Sequence, residues 1–264
     1  AVVLTYAPAS VAHEIDADRR PYFYAAFMLC LTGLLGICIT GDAFNVFVFL
    51  EISSLSTYGL ISLGRDRRAL TAAYNYLILG TIGATFILIA IGLMYMMTGT
   101  LNMADLHLRL ADVGSPALRG AVALLFMVVF GVKAGVFPLY MWLPRSYFAP
   151  PAVVSALFGG LLTKVGVYAL FRMVTLVFAE VAPFTLPVLV VVAAATMFFG
   201  VIGALSQWDF KRILSYHIIS QVGYMVCGVG IGTALAINGA TAHAFAHILY
   251  KALLFMSMGA VLYR

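Results

Sequence analysis

The sequence predicts an all-α polytopic transmembrane helix bundle with about eight spans. Charged residues make up 9% of the 264 residues, against roughly 25% in soluble domains. Hydrophobic residues reach 64%, and the mean hydropathy is +1.06. Because apolar runs continue along the whole chain, we expect no separate soluble domain and treat residues 1–264 as one transmembrane domain.

Net charge and cysteine content exclude several classes. The net charge of +5 does not indicate nucleic-acid binding, because the basic residues fall in short loops between apolar runs. Three cysteines scattered through apolar segments suggest neither a disulfide framework nor a metal site. We therefore expect a multi-pass integral membrane protein of a bacterial inner (cell) membrane, with no nucleic-acid partner, metal or cofactor.

A span length of about 20 residues divides the chain into eight candidate helices. The first follows a twenty-residue polar-leaning stretch without a cleavage-site pattern, so it is not a secretory signal. In the one long connection, 99–118, the leucine spacing predicts a short interfacial helix. His13 and His107 are expected in loops. The eight candidates are 21–40, 43–63, 74–98, 119–142, 151–176, 184–206, 213–233 and 239–262.

The distribution of lysine and arginine predicts the orientation. One set of alternate loop ends carries nine of these residues and the other carries three, which places the first set in the cytoplasm. The chain therefore enters its first span from the cytoplasm and returns there after an even number of spans. The nine are Arg19, Arg20, Arg65, Arg67, Arg68, Arg145, Lys211, Arg212 and Arg264, and the three are Arg109, Arg119 and Arg172.

Four ionisable side chains lie inside the apolar runs, namely Glu51, Lys133, Lys164 and Lys251. A charge near the bilayer centre costs at least about 2.5–3.5 kcal/mol, so such groups usually face a polar pathway. His243 and His247 precede Lys251 at a spacing of four, which places the three on one helical stripe about 12 Å long. The pattern predicts a route for ions or protons.

Lys133 precedes Pro138 by five residues. Proline inside a span breaks the hydrogen-bond ladder, and transporters build midplane ion sites at broken helices. We expect an interruption between about 134 and 144, with backbone facing a hydrated cavity. The alternatives are that Lys133 merely snorkels to the interface and that Glu51 is a neutral carboxyl bonded to a neighbouring helix.

His217 has two interpretations, a cytoplasmic uptake point for protons and an interfacial polar residue, of which the second is favoured. Haem is disfavoured, because two histidines four apart on one helix cannot occupy opposite axial positions of one iron. Retinal is disfavoured because the four ionisable residues provide no aspartate counter-ion.

Three segments together resemble the antiporter-like membrane subunits shared by Mrp sodium/proton antiporters, respiratory complex I and membrane-bound hydrogenases. They are GDAFNVFVFLEISSLSTYGLI, GVKAGVFPLYMWLPRSYFAPPAVVSALFGGLLTKVGVYALFR and DFKRILSYHIISQVGY with the later HAFAHILYKALLFMSMG. The stretches GDAFNVFVFLE, TGTLNMADL and PLYMWLPRSY are most similar to the Mrp D-type branch.

This resemblance implies a longer fold of about fourteen helices with two inverted five-helix repeats. Residues 21–176 would form the first repeat and 184–264 part of the second, so the chain is expected to be a central fragment. Glu51 and Lys133 would match the family's interacting glutamate and broken-helix lysine, Lys164 its connecting residue, and His243, His247 and Lys251 its relay. Movement of Glu51 would then switch Lys133 between holding and releasing a proton.

The sequence thus favours a proton-translocating subunit of a multisubunit cation/proton antiporter, of Mrp D-like type. The runner-up is a proton-pumping subunit of a complex I-like quinone oxidoreductase or hydrogenase, whose redox chemistry lies in other subunits. A passive membrane anchor is the alternative from another class, and the chain carries no flavin, iron–sulfur or haem ligand set for a quinone-binding enzyme subunit. Proton-only and sodium-coupled transport both stay open.

Overall fold

The structure, a computed structural model, describes residues 2–64 and 67–262. Across these ranges eight helical stretches are long and apolar enough to cross a membrane, which confirms the predicted fold class. Arg65 and Arg264, two of the residues used for orientation, lie outside the described residues. The helices are α1 (Val2–Glu14), α2 (Arg20–Ile39), α3 (Ala43–Ser62), α4 (Arg67–Thr98), α5 (Met103–Ala111), α6 (Pro116–Ala134), α7 (Leu143–Phe148), α8 (Ala152–Leu157), α9 (Thr163–Arg172), α10 (Ala182–Leu205), α11 (Phe210–Ile231) and α12 (Ala234–Leu262).

Two predicted helix starts fall several residues inside the observed helices. Helices α4 and α12 begin at Arg67 and Ala234, ahead of the predicted 74 and 239. A hydropathy window finds the part of a helix that lies in hydrocarbon. It does not find the turns that continue into water, because backbone hydrogen bonds hold those turns without apolar side chains.

The polar-leaning stretch before the first span contains α1, a helix that was not predicted. Ala7 and Val11 are buried, and α1 packs against α8 and α12. The prediction that His13 and His107 lie in loops is wrong, since His13 is in α1 and His107 is in α5. Tertiary contacts stabilise both short helices beyond what their polar residues suggest.

The predicted interfacial helix in 99–118 is present as α5. Asn102 caps it by accepting hydrogen bonds from the backbone N–H groups of Ala104 and Asp105, and Leu106 and Leu110 are buried beneath it. The Nδ1 atom of His107 lies 2.7 Å from the carbonyl oxygen of Leu176. Helix α5 is therefore fastened to the end of the fifth span.

The loop before α3 is bound to the loop before α5. The backbone N–H of Ala43 donates to the Leu101 carbonyl at 2.9 Å, and that of Met103 donates to the Gly41 carbonyl at 2.8 Å. Asp42 caps α3 by accepting from the N–H of Asn45. These bonds fix where α3 begins and hence how deep Glu51 lies in the bundle.

The fifth span, 152–177, is the most enclosed of the spans described. It is not one regular α-helix, because wider π turns occupy Phe158–Leu162 and Met173–Val177 on either side of α9. Helix α12 packs against the first π turn, and α6 packs against α9. The fifth span thus lies between the helices that carry Lys133 and Lys251.

A chain of buried ionisable side chains

The fourth span is interrupted where the sequence predicted an interruption. Helix α6 ends at Ala134, four residues before Pro138, as expected because a proline ring clashes with the carbonyl four residues earlier. Gly135 adopts a left-handed conformation (φ 76°), which glycine tolerates best. Pro138 itself is exposed, and helical structure resumes at Leu139 as a short 3₁₀ turn that leads into α7.

Protein groups satisfy the backbone exposed by this interruption. The N–H of Phe137 donates to Thr196 Oγ1 on α10 at 2.9 Å, and Trp142 Nε1 donates to the Val132 carbonyl at 2.8 Å. Such partners are what allow a helix to break at membrane depth. The sequence analysis identified the proline and gave no role to Thr196 or Trp142, although Trp142 lies in the stretch PLYMWLPRSY.

Lys133 lies one residue before the end of α6 and is 7% exposed. Its Nζ donates to the Oγ of Ser54 on α3 at 2.6 Å, and the Ser54 hydroxyl donates to the Leu50 carbonyl at 2.6 Å. Ser54 is therefore the direct hydrogen-bond partner of the buried amine. Sequence reasoning missed it, although it follows Glu51 by one helical turn.

Glu51 and Lys133 do not form a direct ion pair within the described part of the chain. The Oε1 atom of Glu51 is buried and has no described hydrogen-bond partner, and Ser54 occupies the hydrogen-bonding position beside Lys133. Glu51 lies three residues before Ser54 on the same helix, α3. The buried Oε1 atom of Glu51 therefore lacks a described hydrogen-bond partner, although Glu51 lies one helical turn from the serine that binds the amine.

Aromatic rings support the lysine from the other side. The Tyr76 ring centroid lies 5.3 Å from Lys133 Nζ, within the range of a cation–π contact. Tyr76 stacks on Trp142 with ring centroids 4.2 Å apart, and Tyr58 meets its edge at 5.1 Å. A cavity of 20 Å³ lined by Ser54, Lys133 and Tyr76 adjoins the contact, room for about one water molecule.

Lys164 is the buried lysine of the fifth span. It is 5% exposed, and its Nζ donates to the Gly159 carbonyl within the first π turn at 2.5 Å. Two residues later, a Cβ added at Gly166 would lie 2.8 Å from the backbone nitrogen of Ala134. The glycine lets α9 touch α6 at the residue next to Lys133.

Lys251 and His247 are both fully buried, on α12. Lys251 Nζ donates to the Leu214 carbonyl of α11 at 3.1 Å, and the rings of His243 and His247 are 6.0 Å apart. The π turn that accepts from Lys164 packs on α12 beside Lys251, since a Cβ added at Gly160 would lie 3.6 Å from Ala252 Cβ. Protein therefore encloses His247 and Lys251 completely, whereas His243 is half-buried.

Four buried imidazole nitrogens have no hydrogen-bond partner among the described residues. They are His217 Nδ1, His243 Nε2, and both Nδ1 and Nε2 of His247. Buried polar atoms are nearly always hydrogen-bonded to protein or to ordered water. The described protein atoms therefore leave four buried polar atoms beside Lys251 without a partner.

His217 belongs to this cluster and not to the outer surface. It lies on α11 one turn after Leu214, whose carbonyl accepts from Lys251, and it is half-buried. The favoured sequence interpretation, an interfacial polar residue, gave no reason to place it beside Lys251. Within the described ranges no three His, Cys, Asp or Glu side chains are grouped to hold a metal ion.

Residues 40–264, a range that contains all of these ionisable groups, match the family described as NADH:quinone oxidoreductase/Mrp antiporter, transmembrane. The chain belongs to this family. The resemblance to the antiporter-like subunits that the motifs indicated is confirmed.

Relatives within the NADH:quinone oxidoreductase/Mrp antiporter family include both branches that the motifs suggested. The D-type subunit of the Na(+)/H(+) antiporter of Alkalihalophilus pseudofirmus is 49% identical over 247 residues, which cover 93% of this chain and 50% of that protein. The N-type subunit of the NADH-quinone oxidoreductase of Desulforudis audaxviator is 47% identical over 243 residues, 90% of this chain and 48% of that protein. The chain thus spans about half the length of the curated relatives it matches.

Two solved structures share this fold. The Mrp complex from Dietzia sp. DQ12-45-1b matches with a TM-score of 0.88 and 32% identity, over 98% of this chain and 48% of the matched chain. The archaeal membrane-bound sulfane sulfur reductase matches with a TM-score of 0.84 and 33% identity, over 89% of this chain and 48% of that one. Both are multisubunit membrane complexes.

Proposed function

We propose that this chain forms the central part of a proton-translocating subunit of a multisubunit cation/proton antiporter, of the Mrp D-like type. One observation carries the proposal: Lys133, Lys164 and Lys251, on the fifth span and on two helices packed against it, are 7%, 5% and 0% exposed, and none has a described carboxylate bonded to it. Burial of such groups costs several kcal/mol, and a protein keeps them inside the membrane mainly where its function requires them.

The first step of transfer is assigned to Glu51 and Lys133. Burial disfavours a charged amine and a nearby carboxylate favours it. The Ser54 hydroxyl keeps the amine in place while Glu51, one turn away and without a described partner, is free to approach or retreat. Approach of Glu51 would load Lys133 with a proton, and retreat would release it.

The second step passes through Lys164 to the histidine cluster. We expect Lys164, His247 and Lys251 to lie within roughly 10–12 Å of their neighbours, a gap for two or three waters at about 2.8 Å per hydrogen-bonded step. The unpartnered nitrogens of His247 and His217 support water along this path. His243, nearer the start of α12, would face the non-cytoplasmic end, and His217 would stand on the cytoplasmic side as the uptake point.

In this proposal residues 21–176 form the first five-helix repeat and 184–264 part of the second. The partners are other membrane subunits of the assembly. This subunit transports protons, and any coupling to sodium belongs to the complex as a whole. The relative named as the D-type member of a Na(+)/H(+) antiporter supports this assignment by its 49% identity.

The test is transport by the full-length parent complex in sealed vesicles. We expect Glu51→Gln and Lys133→Gln to lower proton-coupled transport by more than about tenfold, because each removes a group that must change its charge. Arg19→Gln and Asp112→Asn, which remove exposed charges outside the chain of buried groups, are the matched controls. Retention of half the parental rate by both buried variants would refute the proposal and favour a passive anchor.

A second candidate is the proton-pumping subunit of a quinone oxidoreductase. Its support is the 47% identity to a protein named as the N-type member of an NADH-quinone oxidoreductase. The same vesicles decide between the two. Proton movement driven by a sodium gradient supports the antiporter, and proton movement only during quinone reduction by partner subunits supports the oxidoreductase.

A further inference from the structure

Four arginines surround a pocket at the end of the bundle that the arginine count assigns to the cytoplasm. Arg67 and Arg68 begin α4, Arg145 lies in α7, and Arg212 lies in the first turn of α11. The pocket has a volume of 350 Å³, and no acidic side chain of the described ranges lines it. It lies outside the buried ionisable chain and has no part in the proposed transfer.

Three of these cations have side chains available for a ligand. Arg67 and Arg145 are exposed, and their guanidinium groups form no hydrogen bond or ion pair with any residue that the structure describes; only their carbonyls accept, from Thr71 and Ala149. Arg212 stacks over the Phe148 ring, with its guanidinium carbon 4.6 Å from the ring centroid. Stacking fixes the plane of that guanidinium and leaves its edge N–H groups free to donate.

The walls of the pocket are partly apolar. Thr71, Ala72, Phe148 and Ala149 lie between the arginines. A free inorganic anion gains nothing from such a wall, whereas the glycerol and upper acyl region of a lipid does. Guanidinium groups match phosphate oxygens in geometry as well as charge.

Arg145 also lines a second recess, which leads away from the cytoplasmic end. This groove has a volume of 260 Å³ and runs beside Asn75, Ile78, Leu79 and Met141. From Arg67 to Ile78 the helix rises by about 16 Å at 1.5 Å per residue, a distance that passes from headgroup depth into hydrocarbon. Met141 is 68% exposed, so the groove opens outward to lipid.

We propose that this surface is a binding site for an anionic phospholipid of the cytoplasmic leaflet. Arg67, Arg145 and Arg212 bind its phosphate, and one acyl chain lies along α4 in the groove beside Ile78 and Met141. Basic pockets between transmembrane helices on this side of a membrane are suited to anionic headgroups. Arg145 joins the two parts of the site, because it borders both the phosphate pocket and the acyl groove.

The experiment measures lipid binding to the full-length parent complex, purified in mild detergent and delipidated, by native mass spectrometry. The probes are phosphatidylglycerol, phosphatidylcholine of the same acyl chains, and soluble glycerophosphate. The variants are Arg67→Gln, Arg145→Gln and the double variant. Arg19→Gln is the control, because it removes an exposed arginine from the same side of the bundle outside the pocket.

We expect phosphatidylglycerol to bind more tightly than the other two probes. Each single pocket variant should weaken the affinity for phosphatidylglycerol by about fivefold, because one basic residue near an anionic surface changes the affinity by about that factor. The double variant should weaken it by about 25-fold. The control should stay within twofold of the parent. Circular dichroism and subunit stoichiometry confirm that the variants remain assembled.

Three results would overturn the proposal. Equal binding of phosphatidylcholine would show that charge does not select the ligand. Glycerophosphate binding as tight as phosphatidylglycerol would identify a soluble-anion site without an acyl groove. A loss in Arg19→Gln equal to that in Arg145→Gln would mean that the general surface charge, and not this pocket, attracts the lipid.

Discussion

The ammonium group of Lys133 and the hydroxyl of Ser54 are 2.6 Å apart across the α3–α6 interface. The serine O–H donates to the Leu50 carbonyl, so the serine oxygen accepts from the lysine without competing as a donor. A hydrogen bond to a charged group contributes about 1.5–3 kcal/mol. This contact therefore sets the position of the buried amine more directly than any contact of Glu51 does.

Replacement of Ser54 by alanine should slow proton-coupled transport by on the order of tenfold, because Lys133 loses its hydrogen-bond acceptor and no longer stays in place for transfer. Ser53→Ala is the matched control. Ser53 is equally buried and also donates to the Leu50 carbonyl, but it does not contact Lys133. Initial rates in vesicles measure both. Equal rates for the two variants would show that the serine contact is irrelevant to transport.

The close approach at Gly166 predicts a stability effect. An added methyl group would meet the backbone of Lys133 and Ala134 at 2.8 Å, and overpacking of this kind costs about 1–3 kcal/mol. We expect Gly166→Ala to lower the Tm of the parent protein and its transport rate together. At Gly160 an added Cβ would meet Ala252 Cβ at 3.6 Å, an ordinary contact. Gly160→Ala should therefore leave Tm unchanged, and a similar loss in both variants would contradict the prediction.

The two tryptophans of the chain should respond differently to the same change. Trp142→Phe keeps the ring stacked near Tyr76 and removes one of two donors to the Val132 carbonyl, which also accepts from the Gly135 N–H at 3.2 Å. The expected cost is that of one lost hydrogen bond, about 0.5–1.5 kcal/mol. Trp208 is fully exposed, so Trp208→Phe should have no effect. Thermal unfolding in detergent compares them. An unchanged Tm for Trp142→Phe would mean that the Gly135 N–H alone is enough for the Val132 carbonyl.

Replacement of His247 tests the proposed water path. His247→Phe keeps a ring of similar size and removes both unpartnered nitrogens, so transport should fall by more than about tenfold while assembly is retained. The control is Tyr250→Phe, which removes a hydroxyl bonded to Gln221 at 3.3 Å from the ring next to His247. A parental rate for His247→Phe would exclude an essential role for its nitrogens in the path.

The sequence predicted the spans and the isolated charges because both depend on composition within one segment. Glu51, Lys133, Lys164 and Lys251 stand out in apolar runs, and Pro138 marks the interrupted helix without any knowledge of its neighbours. The Ser54 contact could not be predicted in the same way. A serine in an apolar helix usually bonds its own backbone, and nothing local shows that a lysine 79 residues away will reach it.

The same reasoning explains the other omissions. Helix α1 depends on Ala7 and Val11 packing against helices distant in sequence, and so its local pattern was insufficient. The cluster around His217 arises because α11 and α12 pack together, which brings Leu214 and Lys251 into contact. Pairings of this kind depend on helix order in space, which a single sequence with one apolar stripe per helix does not specify.

The π turn at Phe158–Leu162 also determines how the fifth span would respond to the deletion of one residue. A wider turn accommodates one more residue than an α-helical turn, so it behaves as a single-residue insertion that the helix has absorbed. Deletion of Leu161 would therefore restore regular winding while the later side chains of the span, Lys164 among them, keep their direction. What Lys164 would lose is the wide turn around Gly159, whose carbonyl accepts its hydrogen bond, so separate features of one span set the direction of the lysine and its partner.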